Sequence, residues 1–407
     1  MKIPGSQTNS VVPQGGANQV RVRAYNERLV LSLVRLHEKL SKSEIAKLTS
    51  LSTQTVTVIM RAMEEEGLLL KGTPQRGKVG QPSVPMSLNP VGVFSIGLKI
   101  GRRSAELVLI DFLGTVRMRI QQHYQCPLPS PVLDFTLKGI VQATETLEED
   151  QRKRIAGVGI AMPFELWNWV EKLGVESNEM DDWLNIDFAS EVANHCGYPV
   201  YVQNDATSAC RAELTFGDGA KYHDFLYIYI GMFIGGGVVL NQTVQAGRTG
   251  YAGAIGAMPV KNKDGTISQL IDHASLFELE KTLAQHRIDP ARLWQSTENW
   301  NAFEPLLSHW IASTAQHLAA TIVSGCSFLD FEAVIIDGSL PVEVKTRIIQ
   351  ATVSEMQKLD LRGIITPQVC SGVVGPDARA IGGACLPLHA RYLMDRNVLF
   401  KDVGSMN

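Results

Sequence analysis

Four polar side chains in this 407-residue chain, Thr53, Gln54, Thr57 and Arg61, fall on one side of an amphipathic segment. The other side carries Val56, Ile59, Met60 and Met63 at i, i+3, i+4 and i+7, the stripe a helix buries. Hydroxyl and amide groups near a helix N-terminus can hydrogen-bond to base edges, and a guanidinium further along can meet a phosphate or a guanine. Arg76 and Lys78 stand in a run of turn-formers between Gly72 and Gly80, where two cations would meet phosphates or the minor groove. A second group is Asn204-Asp205. The Asn amide donates and accepts, yet both residue types also cap helices, and a helical pattern starts at Ala206. Cap and ligand contact both stay open. Phe164, Trp167, Trp169 and Trp183 crowd one stretch; sugar faces stack on such rings, and so do core neighbours.

The elements that must position these residues can be read from the flanking pattern. Residues 1–20 are rich in Ser, Gln, Asn and Gly and read as a flexible tail. Val22–Leu40 reads as an amphipathic helix. Ser41-Lys42-Ser43-Glu44 is a capping box that opens a short second helix. Thr49-Ser50-Leu51 is a turn, Ser52 an N-cap, and Gly67 the stop of the third helix. Leu68–Leu70, a basic turn, and a strand ending near Leu88 complete a wing. Residues 21–90 are therefore expected to form a winged helix-turn-helix.

From Val93 the pattern changes. Three strand-length runs (93–100, 105–110, 116–123) precede a helix at 131–150, a strand at 155–162, a strand at 199–203 and a helix at 206–215. A second round comes next: strands 225–230 and 234–240, helices near 275–288 and 305–326, a strand at 333–336 and a helix from about Val342. Strands followed by alternating helix and strand, twice over, imply a duplicated α/β body. The expected lobes are 91–205, completed by a C-terminal helix at 385–400, and 206–384, with a cleft for a small ligand.

Charge is unevenly placed. Net charge is −3, but the first 90 residues hold 12 Lys and Arg against 6 Asp and Glu, and the rest 26 against 35. A basic head on an acidic body predicts that only the head meets a polyanion. The six cysteines, Cys126, Cys196, Cys210, Cys326, Cys370 and Cys385, have none of the short paired spacings of zinc sites. No apolar signal core opens the chain, and the longest apolar stretch, Phe225–Leu240, is interrupted by Gly235-Gly236-Gly237 and reads as a buried hairpin. A cytoplasmic protein with reduced thiols and no membrane partner is expected.

The motifs in order resemble the ROK family, which groups repressors with sugar kinases, and within it the transcriptional regulators. Ser52–Val56 matches the regulators' recognition helix; Gly80-Gln81-Pro82 and Leu88-Asn89-Pro90 match the wing and the start of the body. Gly157–Pro163, Asn204-Asp205-Ala206, Glu213, Gly231–Gly237, Gly247–Gly256 and Gly382-Gly383-Ala384 stand at matching positions further on. The resemblance implies an actin-like, RNase H-type two-lobed body of the sugar-kinase kind behind the winged head. It implies a sugar-contacting role for Asn178, Asn204, Asp205 and Glu213, with Asp205 at the family's catalytic-base position.

Departures from the kinases are as informative. Where they carry Asp-x-Gly-Gly-Thr, this chain reads Gly97-Leu98-Lys99-Ile100-Gly101-Arg102-Arg103. Their Gly-Thr-Gly is Gly231-Met232-Phe233, and their Glu-Ile-Gly-His is Ala254-Ile255-Gly256-Ala257. No cysteine falls in 258–280, and His273 alone reads as an exposed or capping histidine. The resulting expectation is a DNA-binding regulator, a repressor of carbohydrate genes, with no catalysis, metal or cofactor. Its partners would be a pseudo-palindromic double-stranded operator and a sugar-like effector bound between the lobes, and it would act as a homodimer or homotetramer. An active sugar kinase with a fused head, and a regulator controlled by a protein partner, are the competing readings.

Overall fold

A computed structural model describes residues 19–74, 83–164, 166, 180–262, 264–295 and 299–395. They divide into two compact units: the residues up to Val202 together with those from Ala384 onward, and Gln203–Gly383.

The first unit opens with α1 (Gln19–Leu36), which buries Val30, Leu31 and Val34. The reversal after it places Glu38 at φ 61°. Leu40 then bridges to Met86. The capping box forms as the sequence requires: Ser41 N–H donates to Glu44 Oε2 (2.8 Å), and the Glu44 amide to Ser41 Oγ (3.4 Å). It starts α2 (Lys42–Thr49), and Ser50 closes that helix at φ 57°. Ser52 Oγ accepts from Thr55 N–H (3.0 Å) and starts α3 (Thr53–Glu65). Val56, Ile59, Met60 and Met63 are buried beneath α3. Gly67 (φ 75°) turns the chain into β1 (Leu69–Lys71), antiparallel to β2 (Met86–Leu88) with Leu69 opposite Leu88. This is a winged helix-turn-helix.

Two sets of contacts fasten this head to the rest of the first unit. Arg154 Nη1 donates to the carbonyls of Glu66 (3.1 Å) and Gly92 (3.2 Å), and Asn89 Nδ2 to Gly67 O (2.7 Å). Along α1, Arg28 Nη2 donates to Ala390 O (2.7 Å) and the Met394 amide to Ser32 Oγ (2.8 Å). Arg35, on the same helix, is half-buried, and desolvation lowers its pKa to about 10.

The sheet of the first unit has the order β5-β4-β3-β6-β7, built from β3 (Phe94–Ile100), β4 (Ser104–Asp111), β5 (Val116–His123), β6 (Ile155–Ala161) and β7 (Val200–Gln203). β3, β4 and β6 are buried throughout and read as near-continuous apolar runs. β5 alternates at the edge. Helices α4 (Pro129–Glu145) and α5 (Phe188–Cys196) pack against this sheet.

The second unit repeats the plan. Its sheet, β10-β9-β8-β13-β14, uses β8 (Phe225–Ile230), β9 (Ile234–Leu240), β10 (Thr243–Gln245), β13 (Ala333–Gly338) and β14 (Gln368–Ser371). The first three are antiparallel; β13 runs parallel to β8, and β14 to β13. A ribbon, β11 (Pro259–Lys261) with β12 (Ile267–Gln269), lies between β10 and β13 in the chain. Ahead of β8 comes α6 (Asp205–Phe216). Helices α7 (Leu276–Gln285), α8 (Leu306–Cys326) and α9 (Val342–Met356) bury the large apolar core. The final helix, α10 (Ala378–Arg391), begins in the second unit and ends in the first; it corrects the expected helix at 385–400, starting earlier and stopping at Arg391.

Candidate functional site

On the head, Gln54, Val58, Arg61 and Glu65 occupy i, i+4, i+7 and i+11 of α3 and point away from the buried stripe. Arg61 and Val58 are well exposed. Thr53 is exposed at the first turn; Thr57 is half-buried, and its Oγ1 donates to Thr53 O (2.8 Å). Arg61 Nε donates to Glu65 Oε1 (2.8 Å), with both side chains mostly in water. An exposed i,i+4 pair of this kind contributes little, so a phosphate can displace Glu65 readily. Glu64 pairs with Lys71 on β1 (2.7 Å). Arg76 and Lys78 lie outside the described residues.

In the second unit, Asn204 caps α6. Its Oδ1 accepts from the amides of Ala206 (3.0 Å) and Thr207 (3.2 Å), so its carbonyl end is committed to the helix. Asp205 is next in the chain, and its Oδ2 accepts from Arg379 Nη1 (3.3 Å), each side chain 16% exposed. The Arg379 guanidinium lies over the Tyr229 ring (4.9 Å), and the Tyr229 hydroxyl meets Ser339 Oγ (2.9 Å). Burial opposes the charge on Arg379, but Tyr229 and Asp205 outweigh it and raise its pKa. Arg379 Nε is buried with no hydrogen-bond partner among the described residues. No sequence signal marked Arg379: its partner stands 174 positions away.

Glu213 is sealed from solvent. Its Oε1 accepts from Asp218 N–H (2.9 Å) and its Oε2 from the amides of Val373 (3.1 Å) and Val374 (3.2 Å). Burial pushes its pKa up against those three donors. Asp337 braces the same loop: its Oδ2 accepts from Gly375 N–H (2.9 Å) and Tyr227 Oη (3.1 Å), and its Oδ1 from Lys345 Nζ (2.9 Å). These two buried carboxylates hold backbone.

The glycine-rich strand β9 has a packing duty. A Cβ on Gly235 would lie 2.7 Å from Ala206 Cβ, and one on Gly237 2.5 Å from Cys210 Cβ. The glycines let α6 sit directly on the sheet. At the preceding turn, the Gly231 and Met232 carbonyls accept from the Leu276 and Phe277 amides (3.0 and 3.1 Å), and Phe233 packs on Phe277.

Trp183 is buried, donates from Nε1 to Pro127 O (2.6 Å) and packs on Phe188, so it serves the core of the first unit. Phe164 is half-buried. Trp167, Trp169 and Asn178 lie outside the described residues. His273 corrects the expectation of an exposed or capping histidine. It is half-buried, stacks on His317 (4.1 Å) and meets Ser268 Oγ (2.6 Å), and burial lowers its pKa. Among the described residues, no group of three or more His, Cys, Asp or Glu could hold a metal, and no helix is long and apolar enough to cross a membrane.

A family model described as winged helix-turn-helix DNA-binding matches residues 23–69, the head built from α1 to β1. A putative xylose repressor of Caldicellulosiruptor sp. (strain Rt8B.4) is 25% identical over 282 residues, 67% of this chain and 70% of its own. The DNA-binding transcriptional dual regulator NagC of Escherichia coli (strain K12) is 22% identical over 338 residues, 78% and 81%. Among solved structures, a ROK family transcriptional regulator described as a homologue of the E. coli MLC protein matches with TM-score 0.66 at 18% identity, over 93% of this chain and 98% of that one. A ROK family glucokinase from Streptomyces griseus, solved with glucose and AMPPNP, matches with TM-score 0.56 at 19% identity, over 72% and 98%. These likenesses speak for the fold: a winged head ahead of an actin-like body. With the ROK model matching residues 95–389, the chain belongs to the ROK family.

Proposed function

We propose that this protein is a transcriptional repressor of carbohydrate metabolism or transport genes, released from DNA by a sugar or sugar derivative that its body binds without phosphorylating. The observation that carries this is the pairing of a winged helix-turn-helix with a ROK body whose Asp205 is ion-paired to Arg379. A carboxylate that must take a proton from a sugar hydroxyl needs to face that hydroxyl. Here Oδ2 is held by a guanidinium, which leaves Oδ1 to accept a hydrogen bond from an effector. Phosphoryl transfer rests on positioning and charge around the phosphates, and Gly235 and Gly237 of β9 are taken up in seating α6. The relatives, one named a putative xylose repressor and one a DNA-binding transcriptional dual regulator, support the same reading.

In this reading Thr53, Gln54, Thr57 and Arg61 face the major groove, and Arg76 and Lys78 the phosphates or minor groove. Asn178, Asn204 and Asp205 contact the effector, and Glu213 supports them by holding the 373–374 loop. The active form is a two-fold homodimer or homotetramer on a pseudo-palindromic operator, in the cytoplasm. The test is binding of the purified chain to DNA upstream of its own gene at two salt concentrations, with a sugar panel added with and without ATP. Salt-sensitive binding relieved by one sugar without ATP is expected, and Arg61→Ala with Arg76→Ala should weaken it and flatten its salt slope. Sugar-dependent ATP consumption abolished by Asp205→Asn would overturn the non-catalytic part.

A further inference from the structure

Beyond the polar groups already assigned to the head, we infer that Val58 reads the 5-methyl group of a thymine, and that Gln54 and Val58 together select A·T pairs in each half-site. This rests on the DNA-binding reading above.

Scattered exposed apolar residues are ordinary and carry nothing by themselves. Val58 is 63% exposed, and its position gives the exposure meaning. It lies one turn beyond Gln54 on the outermost line of α3, opposite the stripe formed by Val56, Ile59, Met60 and Met63. The Thr57 hydroxyl donates to its own helix, and Arg61, freed from its exposed pair with Glu65, reaches a phosphate. Gln54 makes no side-chain hydrogen bond among the described residues. The middle of the outer line of α3 thus offers a base edge an amide and an isopropyl group. They border a groove of about 640 Å³ between α1 and α3, whose other wall includes Val22, Arg23 and Asn26.

The major-groove edges of the four base pairs differ in what they offer to such a surface. Only thymine presents a methyl group, and only adenine presents the adjacent acceptor and donor that a side-chain amide meets with two bonds. Guanine O6 and N7 are two acceptors and favour a guanidinium. An uncharged amide followed one turn later by Val58 therefore fits A·T pairs better than G·C pairs. The occupant of this surface is a duplex major groove.

The experiment selects duplexes from a randomised library with the full chain, then replaces each thymine of the best site by deoxyuridine, which removes only the methyl group. Val58→Ala and Val58→Thr are measured beside the unaltered protein. Because Val58 is exposed, both variants should melt with the parent. At one thymine per half-site, deoxyuridine should weaken binding by the parent about three- to five-fold, the loss of one buried methyl contact. Val58→Ala, whose remaining methyl stands closer to the helix axis, should lose most of the preference, and Val58→Thr, which keeps a γ-methyl, should retain more of it. Indifference of the parent to every replacement, or an unchanged ratio in Val58→Ala, overturns the inference while leaving the DNA-binding reading standing. A chain that selects no duplex at all removes both.

Discussion

Asp205 and Arg379 illustrate what one ion pair does to a residue's chemistry. Each side chain is largely shielded, so each charge is balanced mainly by the other. Removing one partner leaves the other uncompensated, which costs several kcal/mol when burial is complete and less where water reaches. Arg379→Met should lower stability by about 1–3 kcal/mol in urea unfolding. Adding Asp205→Asn should recover part of that loss, giving a positive coupling in a double-mutant cycle. A loss below about 0.5 kcal/mol would mark the pair as a solvated contact with no hold on Asp205.

At the level of elements, caps and close packing make separate contributions. Ser41 holds the Glu44 carboxyl below its ordinary value of 4.5 through its hydroxyl and amide. A depressed carboxylate contributes stability above its unfolded value and loses it as pH falls through the folded one. Ser41→Ala should therefore cost about 1 kcal/mol near neutrality and less near pH 3, measured by thermal melts at the two pH values. An equal loss at both would show that the cap works without the carboxylate. The α6–β9 contact is governed by volume instead. Gly237→Ala places a methyl group against Cys210 and should destabilise by about 1–3 kcal/mol. A neutral effect in denaturant titration would mean that α6 can move off the sheet and that the glycines serve some other purpose.

For the whole molecule, DNA binding and effector sensing should separate by residue. Asp205→Asn should leave effector-free DNA affinity unchanged and reduce the response to the effector at least ten-fold, a contact loss of about 1.4 kcal/mol or more. Fluorescence-monitored DNA binding across an effector titration checks this. Lost DNA binding in this variant would place Asp205 in folding of the body and not in sensing.

Much of the fold was written in local pattern. The capping box at Ser41, the stripe under α3, the stop at Gly67 and the hairpin of Phe225–Leu240 all depend on neighbours within a few residues, and all stand where the spacing puts them. The doubled strand order came from two rounds of the same pattern. The two short edge strands of the second sheet did not show: β10 and β14 have three and four residues with no apolar run, and pairing alone makes them strands. Site residues divided the same way. Asn204 as a helix cap was legible because its donors lie two and three residues on. The partners of Asp205 and Arg154, and the Val373 and Val374 donors to Glu213, were not, since they come from positions roughly 60 to 170 residues away. The sequence alone determined the helices, their caps and the order of the elements, because those are set by backbone hydrogen bonds and apolar periodicity at short range. Tertiary structure decided which charges are free to act, because an ion pair or a buried acceptor depends on groups that only folding brings together.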